Sequence, residues 1–193
     1  MNLLLLGPQG SGKGTQAKLI AEAYDLPHVG TGEMLRESIA RGESLGRRVQ
    51  PIVDAGQLVP DELMVELIRE RIRRPDARGG FVLDGFPRTL RQAEELDDAL
   101  HDLGRELNLV LELQVPDAVS VARLLERAGA EGRSDDNPEA IRTRLSLHRR
   151  NAEALSEYYR ARGILVPVHG DRAIPEVFAE IEQAIERAEE NAA

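Results

Sequence analysis

Apolar residues fall along the chain in two rhythms. Short, nearly unbroken apolar runs recur at 2–6, 28–29, 81–84, 109–115 and 164–168. Between them, apolar positions fall three and four apart, the spacing of an amphipathic helix, at 13–24, 32–41, 45–55, 61–73, 90–103, 117–128, 138–161 and 175–190. A run such as LVLELQV at 109–115 suits a strand buried on both faces, and strands that alternate with helices predict a parallel sheet covered on both sides. The expected fold class is therefore α/β: a five-stranded parallel sheet with helices on both faces, in a single domain spanning 1–193. Three helical stretches lie between the second and third runs, where a crossover needs one, so 30–59 reads as a helical insert over the ligand edge of the sheet. Residues 129–137, GAEGRSDDN, form the longest glycine- and acid-rich connection, with Asn137 and Pro138 suited to cap and open the next helix.

The connection after the first run moves the reading from fold to chemistry. Residues 5–16, LLGPQGSGKGTQ, fill the phosphate-loop pattern G-x-x-x-x-G-K-[ST] from Gly7 through Lys13. The next position should carry a hydroxyl for magnesium, yet it is Gly14, with Thr15 one place late. Glycines at 7, 10, 12 and 14 are expected to reach positive φ and turn successive N–H groups inward as an anion nest. The following helix adds its positive end, and the Lys13 ammonium can reach the β and γ phosphates. The run FVLD delivers Asp84 to the carboxyl end of a strand, where a carboxylate beside a phosphate loop orients magnesium through water rather than binding it directly.

Composition narrows the choice. Of 193 residues, 41% are apolar and 31% charged, the balance of a globular chain. No apolar run approaches the ~20 residues of a membrane span, and 2–6 is too short for a signal peptide, so the expected setting is cytoplasmic and away from membranes. A net charge of −9 argues against a nucleic-acid binder, and the lack of cysteine removes disulfides and any thiolate zinc or redox centre. Lysine stands only at positions 13 and 18, while arginine supplies the other 23 cations. Arg36, Arg88, Arg123, Arg127, Arg133 and Arg144 lie at or near expected helix ends and turns, and Arg123 and Arg127, four apart, share a helix face. The histidines at 28, 101, 148 and 169 show no metal spacing and read as core or surface residues. Thr31 suits a helix cap, and Gln92, three residues after Thr89, suits a capping box.

Taken together, GPQGSGKGT (7–15), TGEMLR (31–36), GQLVPDEL (56–63), LDGFPRTLRQA (83–93) and GRSDDNPEAIRTRL (132–145) resemble the adenylate kinase family, in its order and over essentially the whole chain. That resemblance implies a P-loop NTPase fold with a helical NMP-binding insert at 30–59 and a short lid loop at 127–137. It also accounts for Gly14, because nucleoside monophosphate kinases carry Gly-Lys-Gly-Thr; Gln9, where many members have proline, is a departure. The resemblance implies that Gly10, Ser11, Gly12, Lys13, Gly14 and Thr15 hold ATP phosphates. Arg123 then lies over the ATP adenine, Arg127 on its phosphates, and the segment containing Gly170, Arg172 and Ile174 lines the adenine. Arg36 and Arg88 grip the AMP phosphate, with Thr31, Gln57, Leu58, Val59, Gly85, Phe86, Pro87 and Gln92 around AMP, and Arg133 and Arg144 act on the phosphoryl group in flight. The implied reaction is ATP + AMP ⇌ 2 ADP, with magnesium carried as Mg-ATP, no zinc, and a monomeric enzyme whose partners are the nucleotides themselves.

The residues fit such chemistry without a general base. A monophosphate acceptor is already an oxyanion, its second pKa being about 6, so it needs positioning and charge neutralisation rather than proton removal. Two other readings stay open on the sequence: a UMP/CMP kinase, which Thr31 and Gln92 suit less well than adenine, and a non-catalytic nucleotide-binding module. A regulatory GTPase is disfavoured by the lack of an Asn-Lys-x-Asp motif.

Overall fold

The computed structural model describes residues 1–131 and 137–192. The five apolar runs form strands β1 (Asn2–Leu6), β2 (His28–Gly30), β3 (Phe81–Asp84), β4 (Leu109–Gln114) and β5 (Leu165–His169). All pair in parallel, in the order β2-β3-β1-β4-β5. The helices are α1 (Lys13–Ala23), α2 (Thr31–Ala40), α3 (Ser44–Asp54), α4 (Asp61–Ile72), α5 (Leu90–His101), α6 (Asp117–Glu131), α7 (Pro138–Ala161) and α8 (Ile174–Ala192). α6 runs to Glu131, three residues beyond the end expected from its apolar spacing. Arg133 and the centre of the expected lid at 127–137 lie outside the described residues.

Strand parity divides the core. Leu3 and Leu5 of β1 point to one face, against Ala17 and Ile20 of α1 and Val177, Ile181 and Ile185 of α8. Leu4 and Leu6 point to the other, where Ile68, Leu96, Leu155 and Tyr159 of α4, α5 and α7 close over them. Leu3, Leu4 and Leu5 are at most 1% exposed, so each contributes roughly 1.5–3 kcal/mol by burial, and β1 can carry no polar residue along this stretch.

The insert packs on backbone as much as on side chains. A Cβ at Gly46 of α3 would stand 2.2 Å from the Ser38 carbonyl oxygen of α2, so these two helices cross in direct contact at that point. The insert leaves through Gly56, whose φ is 70° and where a Cβ would stand 2.5 Å from the Ala140 carbonyl oxygen. The exit of the insert thus rests on the first turn of α7. That turn is capped as the sequence suggests, with Asn137 Oδ1 accepting from the Ala140 N–H at 2.9 Å and Pro138 at the first helical position. No helix among the described residues is long and apolar enough to cross a membrane.

Candidate active site

β1 sits in the middle of the sheet, with β3 on one side and β4 on the other, and its carboxyl end opens into the crevice where parallel sheets bind ligands. The loop after it takes φ values of 135°, 81° and 96° at Gly7, Gly10 and Gly12. Space is equally restrictive: a Cβ at Gly10 would stand 2.4 Å from the Ser120 carbonyl oxygen of α6. Gly14 differs from the sequence expectation, because it lies in the first turn of α1 without a positive φ. A Cβ there would meet Asp84 Oδ2 at 3.5 Å, an ordinary contact. The position of the missing hydroxyl therefore looks straight at Asp84, and glycine keeps that gap open rather than serving a turn.

Lys13 folds back over its own loop, where Nζ donates to the carbonyl oxygens of Gly7 and Pro8, both at 2.7 Å. Burial pushes its pKa down to about 8; Asp84 opposes the shift, and Arg88 and Arg127 add to it. Asp84 also has His28 near it, with Nε2 at 4.0 Å from Oδ2. The His28 pKa is lowered by burial, against the opposing pull of Asp84 and Glu33.

Above the loop opens a cavity of about 630 Å³. Its wall brings together Gly10, Gly12, Lys13, Gly14 and Thr15 of the loop, Arg123 and Arg127 of α6, and Arg144 of α7. It also takes in Thr31 and Arg36 of α2, Gln57, Leu58 and Val59 after the insert, and Asp84, Gly85, Phe86, Pro87, Arg88 and Gln92. Residues from six separate stretches of sequence thus converge on one space.

Each side chain is held by a local reason. Arg88 Nε donates to the Gly85 carbonyl oxygen at 2.8 Å, which folds the guanidinium over the turn after β3. Thr31 is the first residue of α2 and not its cap, a place taken by Gly30. Its buried hydroxyl donates to the Asp84 carbonyl oxygen at 3.3 Å, tying α2 to the end of β3. Gly85 has φ 85°, and a Cβ there would stand 2.5 Å from that hydroxyl oxygen. Arg36 lies over Gly32, where a Cβ would be 3.1 Å from Nη1. Arg123 Nη1 donates to the Gly170 carbonyl oxygen at 2.9 Å and Arg144 Nη2 to that of Val53 at 3.2 Å.

Four expected residues stand off the wall. Ser11 is buried inside the loop, and Gly170 lies behind Arg123. Arg172 pairs with Glu180 at 3.7 Å, and Ile174 is exposed at the start of α8, its carbonyl oxygen accepting from Gln16 Nε2 at 3.0 Å.

The sequence reading missed a stripe of α7. His148, Asn151 and Leu155 continue the face of Arg144 at helical spacing and line the same cavity, with Glu112 of β4 against α7 at Ser156. Spacing from Arg144 was the available signal. Burial pushes the His148 pKa down to about 4, and Lys13 and Arg88 push in the same direction, against Glu112 and Asp117. The imidazole is neutral, in a cavity lined by more arginine and lysine than carboxylate side chains.

The family model described as "Adenylate kinase" matches residues 5–164. A protein of Archaeoglobus fulgidus named "Adenylate kinase" is 40% identical to this chain, covering 97% of it and 99% of the relative. Proteins of the same name from Rhizobium meliloti and Thermobifida fusca are each 46% identical. They cover 96% and 92% of this chain, and 100% and 94% of their own length.

Proposed function

The chain belongs to the adenylate kinase family, a phosphotransferase that converts ATP and AMP reversibly into two ADP, and we propose that it does so in the cavity above the phosphate loop. The same matches do not favour a pyrimidine monophosphate acceptor or a non-catalytic module. The observation that carries the site assignment is the convergence of Lys13, Arg88, Arg127 and Arg144 on one space, in a chain whose net charge is −9.

In this reading ATP lies with its phosphates on the backbone of 10–15 and its adenine toward Arg123, Gly170, Arg172 and Ile174. AMP lies across the cavity, its phosphate between Arg36 and Arg88 and its base toward Thr31, Gln57, Leu58, Val59, Gly85 and Gln92. Lys13 leaves the carbonyls of Gly7 and Pro8 for the transferring phosphate, and Arg127, Arg144 and Arg133 neutralise charge as the phosphoryl group crosses. Arginine offers planar bidentate grips, while Lys13 supplies a mobile point charge within the loop. Holding acceptor and donor in line is worth roughly 7–11 kcal/mol of the barrier.

Magnesium fits this chain as the partner of the nucleotide rather than of the protein. Among the described residues no three histidine or acidic side chains gather as a metal cage, while Asp84 stands beside the space that Gly14 leaves open. Asp84 would hold a water of Mg-ATP, and the ion would supply charge neutralisation between the β and γ phosphates.

Closure of the insert at 30–59 and of the lid at 127–137 over both nucleotides would keep water from competing with AMP. The contacts of Gly56 with Ala140 and of Arg144 with Val53 already bring the end of the insert against α7. Hydrogen exchange tests this, since closure requires protection of both segments when both substrates bind. We read the enzyme as a cytoplasmic monomer acting on free nucleotides, and sedimentation of the pure protein tests its size.

The first experiment is incubation with Mg-ADP alone. Equal formation of ATP and AMP is expected, and its loss in Arg88→Gly with an unchanged melting temperature would tie the reaction to this cavity. An R88G enzyme with normal turnover would overturn the site assignment.

A further inference from the structure

Gln92 is 2% exposed where it meets the cavity, and its amide is held from behind at both ends. Its Oε1 accepts from the Arg88 backbone N–H at 2.7 Å, and its Nε2 donates to Asp61 Oδ1 at 2.7 Å. Asp61, the first residue of α4, also accepts at Oδ2 from the Thr89 hydroxyl at 3.1 Å, and that hydroxyl accepts in turn from the Gln92 backbone N–H at 3.2 Å. The sequence suggests a simple capping box between Thr89 and Gln92. The structure keeps half of it, the bond to the hydroxyl, and sends the glutamine side chain to Arg88 and Asp61 instead.

This ring of bonds has only one consistent arrangement of protons. A carboxylate only accepts and a backbone N–H only donates, so rotating the Gln92 amide by 180° would set Nε2 against a donor and Oε1 against an acceptor. We propose that Asp61 is a positioning residue that locks the Gln92 amide in one orientation and so makes the monophosphate site prefer a 6-amino purine over a 6-oxo purine. The inference rests on Gln92 reading the base of the acceptor. After its bonds to Arg88 and Asp61, the amide keeps one lone pair on Oε1 and one hydrogen on Nε2. The remaining lone pair on Oε1 accepts from the N6 amino group of adenine, and the remaining hydrogen on Nε2 is donated to N1. Hypoxanthine carries an acceptor at position 6 and a donor at N1, the reverse pattern, and would need the flipped amide. Asp61 does not line the cavity, so its effect on the base passes through Gln92.

The test is Asp61→Asn, of nearly the same size. An asparagine can accept from Nε2 or, rotated, donate to Oε1, which removes one of the two locks and leaves only the Arg88 N–H. Initial rates with AMP and with inosine monophosphate should show the ratio of their kcat/KM values falling about tenfold in D61N, the order of one lost hydrogen bond. The KM for ATP should stay at the wild-type value, whereas a merely structural role would weaken both nucleotides together. Should D61N fail to fold, Asp61→Ser, whose hydroxyl is one atom too short to reach Nε2, also leaves the Arg88 N–H as the one lock and gives the same readout.

Gln92→Ala separates the inference from its premise. If Q92A raises the KM for AMP while D61N keeps the wild-type preference, the positioning role is overturned and the base reading stands. If Q92A leaves the KM for AMP unchanged, Gln92 does not read the base, and the role of Asp61 falls with it. A raised KM in Q92A together with a relaxed preference in D61N supports both.

Discussion

Raising the pH from 7 to 9 should cost the free enzyme its grip on ATP while leaving the saturated enzyme largely intact, because Lys13 sits in the loop with a pKa near 8. One unit above that value only about a tenth of the ammonium groups keep their proton, against about 97% for a lysine at its ordinary 10.5. The value of kcat/KM for ATP, which follows the free enzyme, should therefore fall about tenfold between pH 7 and 9. Bound phosphates surround the ammonium with negative charge and raise its pKa, so kcat at saturating ATP and AMP should hold through the same range. The assay is initial velocity at saturating AMP with ATP varied, from pH 6.5 to 9.5. Lys13→Arg is the control: a guanidinium keeps its charge at these pH values but is too wide for two carbonyls placed 2.7 Å from one nitrogen, so activity should be low and its alkaline limb flat. A wild-type kcat/KM that stays level to pH 9.5 would refute the role given to burial here. Stability should run the other way. The folded pKa lies below the unfolded one, so between about pH 8 and 10.5 the unfolded chain binds more protons and the fold gains stability as pH rises. Below pH 8 the loop bears the full cost of its charge, at most about 3 kcal/mol, which ATP offsets when it binds.

Three further outcomes follow from the geometry. Arg88→Lys keeps the charge but loses the fork and the Nε bond to Gly85, and turnover should fall about 10³-fold or more with the melting temperature nearly unchanged. Gly46→Ala drives a methyl group to within 2.2 Å of the Ser38 carbonyl oxygen, so α2 and α3 must separate, at a cost of about 2–3 kcal/mol read by chemical denaturation. His148→Gln should flatten the acid limb of the stability curve. The folded pKa of His148, near 4, lies below the ordinary 6.5, so in that window the unfolded chain binds more protons and wild-type stability drains as pH falls. Denaturation at pH 7 and pH 4.5 should show a smaller loss in H148Q, by at most about 3 kcal/mol.

The fold was legible because its signals are local. Each strand of the sheet is a single apolar run, and the parity of Leu3 through Leu6 assigns the two faces of β1 without further information. Asn137 and Pro138 start α7 where their chemistry says a helix should start. The site was legible only where a residue's type announces its task, as in the glycine loop, Asp84 and Arg88. Gly14 shows the limit: its letter matches its neighbours at 7, 10 and 12, yet its backbone is helical and its purpose lies in the space beside Asp84, 70 residues away in sequence. Asp61 was invisible for the same reason. A carboxylate in the first turn of a helix is ordinary, and only the fold brings it behind Gln92, 31 residues on.

The charge of the whole chain and the charge of the cavity point in opposite directions, and the difference explains how an acidic protein can collect polyanions. With a net charge of −9, its distant field repels nucleotides, but that field is screened over about 8 Å in physiological salt. On the cavity wall, arginine and lysine outnumber the carboxylates. Lys13 and His148 both have their pKa values pushed down by burial first; Asp84 opposes this at Lys13 and Glu112 at His148, while Arg88 adds to it at both. Two titratable groups on different elements thus report the same poorly solvated space, with Arg88 the cation common to both. Such a site charges its own lysine unwillingly and is relieved of that strain by phosphate. Filling it with nucleotide phosphates should therefore draw protons onto Lys13, while His148, near 4, stays neutral. Calorimetric titration of both substrates in buffers of different ionisation enthalpy should register proton uptake at pH 8, and equal heats across the buffers would mean that the phosphates do not recharge Lys13.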